Sequence, residues 1–359
     1  MLLAPIRYAA KHLRTHPLLG RLALLMIPDV RWTIRIEPIG RFRVFLRRNR
    51  AYWLRHPLTH ERFALSALSC LIHPGDTVLD IGANIGLYVR FMAQHFGAGR
   101  VLAFEPITAN RELLVQNVAL GGVTERVQVF AYAIADRCGQ EEFQVDDMMS
   151  ETSSLDRVTH GEASLGRRNL GLPPKVELVE CRTLDGLLEQ GTIGSSCVIK
   201  LDIEGAETMA IEGARKLLAQ KQVRLVVELH GAEQARDVIS LLLDAGYHMV
   251  ASVASKLHAE GFGPLCRDML KMITERYDVS FLIAVPQGHP LPTVRIWIKR
   301  LSGWKDLAVY PILLVETIAP PFAGGSLGSV ILPPDGPGRA AGRLSHWAIA
   351  LGAVVIQAT

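Results

Sequence analysis

The sequence predicts an α/β fold, a seven-stranded, mostly parallel sheet with helices on both faces. Three observations predict it. From Thr77 onward, apolar runs of strand length alternate with amphipathic runs of helical length. The first apolar run, Val78-Leu79-Asp80-Ile81, ends in a tight glycine turn, Gly82-Ala83-Asn84-Ile85-Gly86. Roughly twenty positions later a second run, Val101-Leu102-Ala103-Phe104, ends in the carboxylate of Glu105.

The elements follow in order. Pro74-Gly75-Asp76 is a turn that launches the first strand. Strands are predicted at 77–81, 101–104, 127–131, 198–201, 225–229, 248–251 and 279–285, and helices at 87–96, 110–119, 208–219 and 232–245. Such alternation buries a parallel sheet between two helical layers and leaves the ligand crevice at the carboxyl ends of the strands. Between the third and fourth main strands lies a long insertion. Its 141–145 and 176–182 read as extra strands, and the polar stretch 148–174 between them reads as a loop facing the substrate. Three regions are expected: a basic helical front (1–71), the α/β domain (72–285) and an irregular tail rich in proline and glycine (286–359).

The glycine turn and the acid after the second strand specify a ligand class. A carboxylate at that strand end accepts hydrogen bonds from both hydroxyls of a ribose. A dinucleotide site would want Gly-x-Gly-x-x-Gly and a helix start facing a pyrophosphate. Here Asp80 precedes the turn, and no Gly-Lys-Ser/Thr triplet follows it. An acid beside the ligand suits a cationic nucleoside, and S-adenosylmethionine carries a sulfonium and no phosphate. The alternative is an ordinary strand–turn–helix with an incidental acid.

A formal net charge of +4 is too small to imply a nucleic-acid partner, but the charge is unevenly spread. Arg7, Arg14, Arg21, Arg31, Arg35, Arg41, Arg43, Arg47, Arg48, Arg50 and Arg55 crowd the front, with few acids nearby. The front reads as a solvated basic face, with peripheral contact to an anionic membrane as the alternative. Five cysteines without a paired framework point to a reducing, cytoplasmic setting. No convincing signal peptide or spanning stretch is found.

A second constellation closes the predicted fourth strand: Lys200-Leu201-Asp202-Ile203-Glu204-Gly205-Ala206-Glu207. Lys200, Asp202 and Glu204 alternate, so they share one side of a regular strand. Burying such charges unpaired is costly, so they need a function or a partner. The fifth strand ends in Glu228-Leu229-His230, aimed at the same crevice. Asp202 and then His230 are the candidate bases for an acceptor hydroxyl. Two acids and a histidine also suit a divalent ion, but neither spacing is a known metal signature, so no metal is expected.

These residues also carry a resemblance. Asp80-Ile81-Gly82-Ala83-Asn84-Ile85-Gly86, Phe104-Glu105-Pro106, Asn117, Ala133-Ile134-Ala135-Asp136, Thr183-Leu184-Asp185, Lys200 to Glu207, Glu228-Leu229-His230 and Gly246-Tyr247 occur in that order. Together they resemble the FkbM family of S-adenosylmethionine-dependent methyltransferases over roughly 74–285. The resemblance implies a Rossmann-like class I methyltransferase fold and methyl transfer to a hydroxyl of a sugar, glycan or secondary metabolite. It implies that Asp80, Gly82, Asn84 and Gly86 surround the methionine part of the cofactor and that Glu105 takes the ribose hydroxyls. Ala133 and Asp136 would pass near the adenine. Asp202, Glu204, Glu207, Glu228 and His230 would line the acceptor side, and Lys200 joins the candidate catalytic residues. The alternatives are a nitrogen- or lipid-directed methyltransferase at a membrane surface, and a non-catalytic protein of the same fold that binds the cofactor.

Overall fold

A computed structural model of the chain describes residues 26–54, 61–149, 152–255, 260–265 and 277–290, together with a two-residue parallel pair, Val330–Ile331 and Val355–Ile356. The expectations for 1–25, for Arg55, for Cys266 and for most of the tail lie outside the described residues.

The front differs from its expectation. It was expected to be helical, and 31–45 is instead an antiparallel hairpin of β1 (Arg31–Ile36) and β2 (Gly40–Phe45). Helix follows in α1 (Arg50–Leu54) and α2 (Arg62–Leu71). The strand has a physical basis in β2, where Phe42, Val44 and Phe45 are buried while Arg41 is exposed and Arg43 half-buried. Nor are the arginines all solvated. Arg31 pairs with Glu112 at 2.5 Å, Arg48 with Asp29 at 2.5 Å and Arg35 with Glu37 at 2.5 Å. A buried side chain, Arg90, fastens the hairpin to the next domain by donating to the carbonyls of Ile39, Arg41 and Asn117. Asn117 completes the joint. Its amide donates to the carbonyls of Arg43 (2.9 Å) and Ile85 (2.8 Å), and its oxygen accepts from the Arg43 N–H.

The α/β domain then runs β3 (Thr77–Ile81), α3 (Leu87–Gln94), β4 (Arg100–Phe104), α4 (Thr108–Leu120) and β5 (Val127–Phe130). The predicted third strand stops short at Phe130. The chain steps out of the main sheet into β6 (Tyr132–Ile134), β7 (Gly139–Gln144), β8 (Ser154–Leu155), the short helices α5 (Asp156–Thr159) and α6 (Leu165–Asn169), and β9 (Val176–Arg182). These strands form a second sheet in the order β6-β9-β7-β8. The insertion is therefore folded. Its centre is Asp146, whose carboxylate accepts from the N–H of Met148 (2.9 Å), Met149 (2.8 Å) and Gly166 (2.6 Å) and from the Thr152 hydroxyl.

The chain returns through α7 (Leu184–Glu189), β10 (Cys197–Leu201), α8 (Glu207–Glu212), α9 (Arg215–Ala219), β11 (Val223–Glu228), α10 (Ala232–Asp244), β12 (Tyr247–Ser255), β13 (Glu260–Leu265) and β14 (Tyr277–Pro286). The main sheet has the order β13-β12-β14-β11-β10-β3-β4-β5. β5, β4, β3, β10 and β11 are parallel, and β14 runs antiparallel to β11. The seven expected strands are present, and β13 adds an eighth at the edge. The helix expected over 208–219 is two helices. Gly213 separates them, and a Cβ there would lie 2.2 Å from the Ala135 carbonyl oxygen.

The sheet is buried on both faces. Val78, Val101 and Val198 face α2, α3 and α4, while Leu79, Leu102 and Ile199 face the opposite core. The chain leaves β3 on one side toward β4 and later comes back to β10 on the other. That reversal is the topological switch point, and it opens a crevice at the carboxyl ends of the strands.

Candidate active site

A cavity of about 270 Å³ occupies that crevice. Its walls come from the ends of β3, β4, β10 and β11, from the second sheet, and from Tyr52 and Glu61 of the front.

At one end the wall is built from the 82–86 turn and Glu105. Gly82 has φ +79°, and a Cβ there would lie 1.9 Å from the carbonyl oxygen of Asp202. Glycine is required because the turn packs against β10, a requirement separate from any approach of a ligand. Gly86, at φ +88°, caps α3, and a Cβ there would meet Leu114 at 2.4 Å. It serves helix packing and lies outside the cavity wall. Asn84 adopts φ +47° and turns its N–H onto Glu105 Oε2 at 2.8 Å, while the Ile107 N–H donates to Oε1 at 3.0 Å. These bonds fix a carboxylate that is only 4% exposed. Burial pushes its pKa up to about 7 against the lowering effect of the N–H donors. Beside it lies an apolar slot that includes Phe104, Tyr132, Ala133, Ile134 and Phe143. Phe130 backs it, stacked on Phe104 at 5.0 Å and on Tyr132 at 5.8 Å.

In the floor, Lys200 links the two ends. Its Nζ lies 3.4 Å from Asp80 Oδ1 and 3.1 Å from Asp202 Oδ2, donates to the Gly82 carbonyl at 3.1 Å, and sits 4.8 Å from the centre of the Tyr88 ring. Asp80 is wholly buried and does not reach the cavity. The structure makes it the counter-ion of Lys200. Burial drives its pKa upward, and the Lys200 charge opposes this. Lys200 itself is held charged, because the two acids outweigh the cost of its burial.

At the other end the β10 and β11 termini bring four groups together. His230 Nδ1 is 3.0 Å from Glu207 Oε1, and Nε2 is 3.5 Å from Glu204 Oε2 and 3.8 Å from Asp202 Oδ1. Burial opposes a charge on the imidazole, but the Glu207 hydrogen bond and the neighbouring acids push its pKa up to about 10. At neutral pH it is an imidazolium, which donates protons rather than taking them. In that form it is not a base, so Asp202 stands first of the two expected bases. Glu207 also accepts from the N–H groups of Ile203 (3.0 Å) and Gly205 (3.1 Å), which locks the loop after β10. Glu204 has φ +52° and faces the cavity. Glu228 is pushed up to about 9 by burial and then by the charges of Asp202 and Glu61.

Asp136 is not in this assembly. Arg157 of the insertion binds it at 2.7 Å, and Arg157 also holds Glu141. Ala133 lines the slot. Sequence reasoning missed Glu61, whose carboxylate accepts from the Tyr88 hydroxyl at 2.5 Å, and it missed Tyr52. Neither stands in a local motif. The insertion does face the cavity, through Thr152, Ser153 and Leu155.

Residues 80–249 match the model described as the methyltransferase FkbM domain. The chain carries a methyltransferase FkbM domain. That domain is of the S-adenosylmethionine-dependent methyltransferase kind that the resemblance implied. The AMB antimetabolite synthetase AmbE of Pseudomonas aeruginosa is 27% identical over 202 residues, which cover 48% of this chain and 9% of AmbE. The 31-O-demethyl-FK506 methyltransferase FkbM of Streptomyces tacrolimicus is 27% identical over 202 residues, 50% of this chain and 75% of that protein. The hexuronic acid methyltransferase AglP of Haloferax volcanii is 24% identical over 195 residues, 54% of this chain and 72% of AglP. This chain therefore shares about half its length with these relatives, and it spans less than a tenth of AmbE. Among the described residues, no helix is long and apolar enough to cross a membrane.

Proposed function

We propose that this FkbM domain methylates a hydroxyl oxygen of a sugar, a glycan or a hydroxylated secondary metabolite. One observation carries the reading. A single cavity has a buried, N–H-bonded carboxylate and an aromatic slot at one end and half-buried acids with an imidazolium at the other.

The first end fits the cofactor. Glu105 offers two fixed oxygens to the paired hydroxyls of a ribose, and the slot beside it suits a flat base. A diphosphate is poorly served. Among the described residues Lys200 is the one lysine or arginine in the wall, and it is already wedged between Asp80 and Asp202. S-adenosylmethionine supplies an electrophilic methyl group. This chain's own residues supply placement and a destination for the hydroxyl proton. Asp202 is held by Lys200 on one oxygen and keeps the other toward His230, so it is the group placed to accept that proton. The oxygen acceptor agrees with the 31-O position in the name of one relative, and the sugar with the hexuronic acid of another. The buried thiols Cys181 and Cys197 fit a reducing, cytoplasmic setting.

Asp202→Asn tests the reading. Calorimetry is expected to show unchanged binding of S-adenosylmethionine. Transfer of labelled methyl to hydroxylated acceptors is expected to fall by about 10²–10⁴-fold. Loss of cofactor affinity in this variant would refute the division of roles.

A further inference from the structure

We infer that Asp202, Glu228 and His230 form a binding site for one divalent cation of the Mg²⁺/Mn²⁺ class at the acceptor end of the cavity. The inference rests on the reading above only in assigning that end to the acceptor. One ligand atom from each residue lies within 4.8 Å of the others, a spacing that a single ion can bridge. The three sit at the ends of adjacent parallel strands, β10 and β11, so the rigid centre of the sheet sets their separation.

The histidine is also oriented as a ligand. Buried Glu207 engages Nδ1 at 3.0 Å and is itself fixed by the N–H groups of Ile203 and Gly205. The Gln234 side chain accepts from the His230 N–H at 3.0 Å. Nε2 is thereby turned toward Asp202 and Glu204. The imidazole gives up its Nε2 proton as the cation binds, and a carboxylate behind Nδ1 then selects the tautomer that a metal needs. Lys200 occupies Asp202 Oδ2 and leaves Oδ1 on the cavity side. Two carboxylates and one imidazole, with Glu204 as a further oxygen donor, form an oxygen-rich set that suits Mn²⁺ or Mg²⁺. A hydroxyl bound to such an ion would be acidified, which eases the passage of its proton to a neighbouring carboxylate.

The test is direct binding of MnCl₂ to the full chain, read from the loss of the free Mn²⁺ signal in electron paramagnetic resonance. One saturable site per chain is expected, displaced by excess MgCl₂. Glu228→Gln and His230→Ala are each expected to weaken it by at least tenfold. Glu207→Gln is expected to weaken it by about 10–100-fold. Circular dichroism of each variant separates lost binding from lost folding, and the cavity-facing Glu228→Gln is the variant less able to disturb the fold. Mn²⁺ binding that is non-saturable, or that Glu228→Gln and His230→Ala leave unchanged, would overturn the site. Saturable Mn²⁺ binding without methyl transfer to any hydroxyl would keep the site and refute the O-methyl reading. Transfer that survives chelation in a protein that binds no Mn²⁺ would do the reverse.

Discussion

The two ends of the cavity solve different electrostatic problems. At the β4 end a single carboxylate, Glu105, is buried and held by two backbone N–H groups. At the β10–β11 end Asp202, Glu204 and Glu228 crowd one histidine and are only half-buried. Backbone donors keep one acid in one place whatever its protonation state. Side-chain clusters exchange protons and cations among themselves. The first arrangement suits a ligand held in one pose, the second a group whose charge changes during reaction.

Substitutions can break or sharpen this contrast. The largest effect is expected for Gly82→Ala, which joins both ends in one failure. Its Cβ would sit inside the contact with the Asp202 carbonyl, so a loss of about 4 kcal/mol or more is expected in urea unfolding, with cofactor binding and turnover lost together. Lys200→Met should cost about 3–5 kcal/mol in the same measurement, because it leaves Asp80 buried without a counter-ion. Glu105→Gln should act on one end alone. Calorimetry is expected to show cofactor affinity about 10–100-fold weaker, with the fold intact.

The pH dependence sharpens the same point. In the unliganded protein Glu105 keeps its proton up to about pH 7. Hydroxyl donors favour the carboxylate, so binding lowers its pKa and releases a proton. Affinity is therefore expected to rise as pH increases toward about 7 and to level off above it, and Glu105→Gln should flatten that rise. The smallest effect is expected for Thr152→Ser, which keeps the hydroxyl on Asp146 and trims one methyl group from the wall. The acceptor KM should shift by about tenfold or less, with cofactor affinity unchanged.

Much of this was legible because strand periodicity carries it. The alternation of Lys200, Asp202 and Glu204 placed them at one strand end, and the carboxylate after the second strand stands in the cavity wall as read. The turn at Gly82 was also legible, but its reason was not. The contact that forbids a side chain is with Asp202, 120 positions away in the sequence. Asp136 was assigned to the adenine because nothing local reveals Arg157, which folds back from the insertion to claim it. The break at Gly213 depends on a carbonyl from β6's end, again a long-range contact. Glu61 escaped notice because it reaches the cavity from outside the α/β repeat. The hairpin escaped the general expectation of a helical front, although Trp32, Ile34 and Ile36 alternate with other residues as a strand does.

The meeting of Gly82 with the Asp202 carbonyl has an evolutionary consequence. Main chain touches main chain there, so no rotamer change can widen the gap between donor and acceptor. New substrates must be accommodated by remodelling the outer walls, where Tyr52, Glu61, Thr152 and Leu155 project from the front and the insertion. Those outer segments can change without altering the spacing between the two ends of the cavity.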